Sequence, residues 1–197
     1  MVEAALHEAE LLLAKYPPTS DPGLRRQHLL ASLDSILQQE NASTVPAVQR
    51  FFHQRIEDAV HDMRTTTPRS GAIVWLIYNH GFVVRTPTAT VCFDLVRAKY
   101  LGDFAISENL MVKVVEQCDA LFVSHAHADH AETLTAQAFI SQNKPVIAPA
   151  QVGYREPLYA KVTHLPRVEH AVQSLPIKRG RVLLKLVVYP GHQGEGY

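Results

Sequence analysis

The six residues His125-Ala126-His127-Ala128-Asp129-His130 follow directly on the apolar run Ala120-Leu121-Phe122-Val123-Ser124. Imidazole and carboxylate groups at this density do not read as core packing, because ionisable side chains inside a fold need partners. The alanines between them leave room for the backbone to bend and the ligands to converge. If 120–124 is a buried strand, the six residues leave the carboxyl end of a sheet, where α/β proteins place their sites. In extended backbone, side chains two apart share a side, so His125 and His127 can meet one metal ion. Asp129 and His130 follow as the chain turns into a helix expected from Ala131 to about Gln142, and they can face a second ion. Two ions about 3.5–4 Å apart make a hydrolytic clamp. The competing reading is a solvated histidine-rich loop that picks up metal adventitiously.

Apolar periodicity divides the chain. Residues 1–64 read as an N-terminal helical segment. Val2, Ala5, Leu6, Ala9, Leu12, Leu13 and Tyr16 recur at spacings of three and four, up to the stop at Pro17-Pro18. A second helix starts after Asp21-Pro22 and carries Leu29, Leu30, Leu33, Ile36 and Leu37. A third begins near Thr44 to Pro46 with Val48, Phe52, Ile56, Ala59, Val60 and Met63. This segment suits a dimerisation element, a cap over the site, or a packing extension on the back of the main domain. Residues 65–71 are rich in breakers and read as a linker. From 72 to 197 the period shortens to that of strands, at 72–78, 81–85, 90–95, 120–124, 145–148 and 181–189, with a helix at 107–118. The expected fold class is α/β.

The pattern His-x-His-x-Asp-His after an apolar strand resembles the signature of the metallo-β-lactamase superfamily. Trp75-Leu76, Gly81-Phe82-Val83-Val84 and Val91-Cys92-Phe93-Asp94 are similar to its first strands and first-motif aspartate. Val187-Val188-Tyr189-Pro190-Gly191-His192 is similar to its third motif. The branch most resembled contains the L-ascorbate-6-phosphate lactonases and the N-acyl phosphatidylethanolamine phospholipase D enzymes. The resemblance covers about residues 71–197. It implies an αββα sandwich, with the first half and the start of the second present. His125, His127 and His192 would hold one ion, and Asp129 and His130 a second. Asp94 would sit behind them, hydrogen-bonded near the metal loop. The family draws a bridging aspartate and a last histidine from later strands; here only Glu195 offers a carboxylate after His192, at a glycine-flanked tail. The expectation is therefore a domain that continues in a longer polypeptide, against a mononuclear or degenerate protein that ends here.

The expected function is a metal-dependent hydrolase whose metal-bound hydroxide, oriented by Asp129 as proton acceptor, attacks a small-molecule ester, lactone or phosphodiester. Zinc is the default cation, one ion or two, with manganese or iron also compatible with the carboxylate content. Nineteen basic residues balance nineteen acidic ones, so no global field draws in nucleic acid. A metal-dependent nuclease and a non-catalytic metal-binding interaction module are the alternatives. Lys178, Arg179, Arg181 and Lys185 read as a solvated hairpin tip rather than a phosphate grip. His53 and His61 read as solvated helix residues, His164 and His170 as surface-loop residues, and His80 as an exposed turn residue beside the cleft. Cys92 and Cys118 form no disulfide framework and read as small core residues of a cytoplasmic protein. No apolar run approaches the ~20 residues of a membrane span. Homo-oligomerisation through the leading helices is the one partner, besides a small-molecule substrate, that the chain suggests.

Overall fold

The computed structural model describes residues 2–16, 18–19, 21, 23–97, 106–166, 168 and 170–189. His192 and Glu195 lie outside the described residues, as do Pro17 and Pro22.

Three helices occupy the leading segment: α1 (Val2–Lys15), α2 (Gly23–Leu37) and α3 (Pro46–Thr65). The Asp21 carboxylate accepts from the Gly23 amide at 3.3 Å where α2 begins, and Pro46 opens α3, where a missing N–H costs nothing. The apolar stripes of α1 and α2 are only partly covered; Leu6, Ala9 and Leu29 are buried. These two helices share a small core with the start of α3, built on Leu6, Val48 and Phe51. The second half of α3 packs elsewhere. Ile56, Val60 and Met63 join the main core with Trp75, Ile77 and Val114. Of the roles open to the leading segment, packing on the back of the sheet is the one α3 displays. Asp62 reinforces it, accepting from Thr66 Oγ1 at 2.8 Å and Trp75 Nε1 at 2.7 Å.

A five-stranded mixed sheet follows: β1 (Ile73–Tyr78), β2 (Gly81–Arg85), β3 (Thr90–Phe93), β4 (Ala120–Phe122) and β5 (Val146–Ile147), in that spatial order. β1, β2 and β3 pair antiparallel, and β3, β4 and β5 parallel. The parallel crossovers are α4 (Glu108–Gln117) and α5 (Thr133–Ser141). Ser107 caps α4 by accepting from the Leu110 amide at 3.3 Å. Side chains alternate as a sheet covered by helices on one face requires. Trp75, Ile77, Val83, Cys92 and Leu121 point to the helices and are buried with them. The Arg85 guanidinium gathers the ends of two helices, donating to Thr66 O at 3.0 Å, Gln117 O at 3.3 Å and also Met63 O. A cation beside C-terminal carbonyls is favourably placed.

Against the opposite face lies a hairpin, β6 (Gln173–Ile177) and β7 (Val182–Leu186). Leu175 and Ile177 pack there on Ala89, Ala120 and Ile147. The basic residue Lys178 sits at the hairpin tip, where its amine reaches Thr88 O at 2.8 Å and Asp119 Oδ2 at 3.3 Å. β6 is absent from the sequence reading because Pro176 interrupts its pattern; it pairs on one side only, the setting in which strand proline is tolerated. The last expected strand, 181–189, is regular only over β7. No described helix is long and apolar enough to cross a membrane.

The pairing has one consequence for function. Only β2 runs against the other four strands of the main sheet. The segments leaving β1, β3 and β4 therefore emerge at one common edge. They are the Asn79-His80 turn, Asp94, and the loop holding His125 to His130.

Candidate metal centre

Asp94 is the anchor of this edge. It takes a left-handed backbone conformation (φ 48°) directly after β3, which aspartate tolerates better than most residues. Its side chain is buried and turns toward the end of β4. Oδ1 accepts from the Ser124 amide at 2.7 Å, and Oδ2 from the Ser124 hydroxyl at 2.8 Å. His130 Nδ1 stands 2.9 Å from the same Oδ2. A carboxylate only accepts, so Nδ1 of His130 carries a proton, and in the neutral ring that ligates a metal the lone pair is on Nε2. The same logic passes through Ser124. Its hydroxyl proton is given to Asp94, so His125 Nδ1, 2.9 Å away, donates to the hydroxyl oxygen. One carboxylate thus sets the tautomer of two histidines and turns their Nε2 atoms toward the loop.

The loop folds back on itself. His127 O accepts from the His130 amide at 3.0 Å and the Ala131 amide at 2.9 Å. Glu132 then secures its far end, accepting from the Arg97 amide at 3.1 Å and lying 3.4 Å from Arg97 Nε. The fold-back brings the rings of His125 and His130 to 3.9 Å and those of His125 and His127 to 4.5 Å. His125 Nε2 and His127 Nδ1 face each other at 3.0 Å. Burial, and then the neighbouring His130 and His127, hold the His125 pKa below the usual imidazole value. Neutral imidazole is the form that ligates a metal.

His125, His127, Asp129, His130 and Asp94 are thus brought together, whereas His192 falls outside the described residues. A further residue joins them. His80 stacks on His130 with centroids 4.5 Å apart and planes 13° from parallel. Its Nε2 is 3.5 Å from Asp129 Oδ2, and His130 Nε2 is 3.6 Å from the same oxygen. One ligand atom from each of His80, Asp129 and His130 lies within 4.8 Å of the others. The signal for His80 was topological: an up-down-up order of three strands returns the first turn to the edge reached by the third. His164 is half-buried rather than a plain surface residue, with Nδ1 2.9 Å from Ala148 O.

A groove between sheet and hairpin opens onto this edge. Its cavity of about 630 Å³ is bounded by Phe93, Phe122, Leu165 and Leu186, with His125 and His130 at one end. Small-molecule sites have this size and mixture of apolar wall and few polar groups. The donor set can hold a metal ion: imidazole nitrogens, one partly exposed carboxylate, and a carboxylate behind them orienting two of the rings. No protein-family model matches the chain, and no curated protein matches it significantly.

Proposed function

We propose that the protein is a metal-dependent hydrolase built on a metallo-β-lactamase-like αββα sandwich, in which the helices, the five-stranded sheet and the β6–β7 hairpin are the described layers. The observation that carries this reading is the convergence of His125, His127, Asp129 and His130 at one sheet edge, with Asp94 holding two of the rings in ligand-ready tautomers. The chemistry a divalent cation would supply there is a water pKa lowered toward ~7 and a polarised carbonyl or phosphoryl oxygen. His125 and His127 would hold one ion, with His192 as the expected third ligand, and Asp129 and His130 would hold another. Zinc is the first choice, and manganese or iron are compatible.

The residues divide the remaining work. Asp94 and Ser124 keep the His125 and His130 rings from rotating. Asp129, partly exposed at the mouth of the edge, would accept the proton of the attacking water at the carboxylate oxygen that does not face His80 and His130. The apolar walls at Phe93 and Phe122 exclude bulk water from one side of the groove and receive the substrate body. With balanced charge and no cationic exosite in the sequence, a small-molecule ester, lactone or phosphodiester suits this arrangement better than RNA.

The test is turnover by purified protein on ester, lactone and phosphodiester panels, before and after chelation. We expect activity that chelator abolishes, that added zinc or manganese restores, and that Asp129→Asn lowers at least about a hundredfold. Stoichiometric metal with no turnover on any panel would leave only a non-catalytic module, and steeply salt-dependent RNA cleavage would turn the reading to a nuclease.

A further inference from the structure

We infer that His80, Asp129 and His130 form a cation site of their own, in which the turn between β1 and β2 supplies a ligand from outside the histidine-rich loop. The inference rests on the metal reading of that loop and goes beyond it in assigning His80.

The first support is spacing. Asp129 Oδ2 lies 3.5 Å from His80 Nε2 and 3.6 Å from His130 Nε2. Charge-assisted hydrogen bonds to a carboxylate run about 2.7–2.9 Å, so both separations are too long for that role. They suit ligands around one ion. Nitrogen and oxygen donors about 2.0–2.1 Å from a tetrahedral centre are separated by about 3.4 Å along each edge.

The second is orientation. His130 Nδ1 is committed to Asp94, which leaves Nε2 to face Asp129. The near-parallel stacking of His80 on His130 then brings the Nε2 atoms of both rings to the same carboxylate oxygen. A solvated turn histidine has no need of either relation.

The third is the backbone that presents His80. Asn79 takes a left-handed conformation (φ 51°), which lets two residues reverse the chain between β1 and β2. At Gly81 a Cβ would meet Tyr78 O at 3.0 Å and Asp94 O at 3.3 Å. The turn is therefore seated against the backbone of Asp94, the residue that holds His130. His80 and His130 are positioned by the same anchor.

Two imidazoles and one carboxylate select a borderline divalent transition cation, zinc first, over magnesium or calcium, which take all-oxygen shells. The half-exposed His80 ring, with 52% of its side chain accessible, leaves the ion open to solvent and to a substrate oxygen. Removing His80 should therefore alter cation binding more than folding.

The experiment is metal stoichiometry and affinity of the full chain, by titration with Zn²⁺ and with Co²⁺ followed by visible absorption, for wild type, His80→Ala and His80→Gln. Thermal melts of the metal-free proteins control for folding. We expect both variants to lose one ion per chain, or to weaken it at least about tenfold, since a direct ligand should matter no less than the outer partners of ligands do. The Co²⁺ bands should change with the loss, and Mg²⁺ should not compete. Unchanged stoichiometry, affinity and Co²⁺ spectrum in both folded variants would overturn the role of His80 while leaving the loop site standing. A wild-type chain that binds neither ion would overturn both. The titration reads no turnover, so an inactive protein that binds metal as expected would defeat the hydrolase proposal alone.

Discussion

Asp94, Ser124, His125 and His130 are tied to one another by contacts of 2.7–2.9 Å, whereas His80 and Asp129 stand further out and the Asp129 carboxylate keeps 3.5–3.6 Å from its imidazole neighbours. Asp94 and His125 are buried, and only 14% of the His130 side chain is accessible. His127 and His80 are exposed. The inner layer pairs the Asp94 carboxylate and the Nδ1 atoms of His125 and His130 within the protein, since buried polar groups need partners. The Asp129 carboxylate and the Nε2 atoms of His80 and His130 face one another with room between them. The difference teaches that the rings of His125 and His130 are oriented by buried partners, whereas His80 and Asp129 reach the same edge without them. Damage to the buried partners should reach both folding and metal binding, and damage to His80 or Asp129 should stop at metal.

Asp94→Ala tests the contrast most severely. It strips the partner from the Ser124 amide, the Ser124 hydroxyl and His130 Nδ1 together. Urea unfolding of the metal-free protein should show a loss of about 1–3 kcal/mol, and zinc affinity should fall about 10–100-fold. Asp129→Asn should leave unfolding within about 0.5 kcal/mol of wild type while weakening the hold on the ion that Asp129 would share with His130; equal loss of stability in the two variants would erase the distinction between layers. Gly81→Ala lies between them. Its Cβ would press on Tyr78 O and Asp94 O, so a loss of about 1 kcal/mol is expected from overpacking, with a shift of the His80 turn visible in the amide spectrum of residues 79–81.

The smallest effect is a pH dependence of the metal-free protein. The His125 pKa is lowered on folding, chiefly by burial and then by His130 and His127. Between the lowered folded value and the ordinary imidazole value near ~6.5, the unfolded chain binds more protons than the native one. The contribution is complete above that ordinary value and is lost as pH falls through the window. His125→Gln should therefore flatten the decline in stability from neutral pH downward, read as the difference between the two unfolding curves. A parallel decline in both proteins would show that the His125 ring does not experience this burial.

How much was legible beforehand follows from how local each signal is. The strand β4 and its donor-rich bend are contiguous in sequence, so the apolar run and the ligand spacing identified them together. The helices α1, α2 and α3 were legible from their three-and-four spacing and proline punctuation. Their partners were not, because an apolar stripe does not say what covers it. That Ile56 and Met63 belong with the sheet while Leu6 belongs with Val48 is a tertiary fact. Asp94 was expected behind the metal loop because the family resemblance implied it, but the use of Ser124 to extend its reach to His125 depends on the register Phe93 to Phe122. His80 was passed over for the same reason. Forty-nine residues separate it from Asp129 in the chain, and only the alternation of β1, β2 and β3 brings it to the same edge.

The most direct measurement of the central claim is anomalous scattering from crystals of the protein loaded with zinc, collected on both sides of the absorption edge. Peaks should stand within about 2.0–2.3 Å of donor atoms from His125, His127, Asp129 and His130. Full zinc occupancy at other positions, with this bend carrying no anomalous density and its imidazoles turned outward, would contradict it.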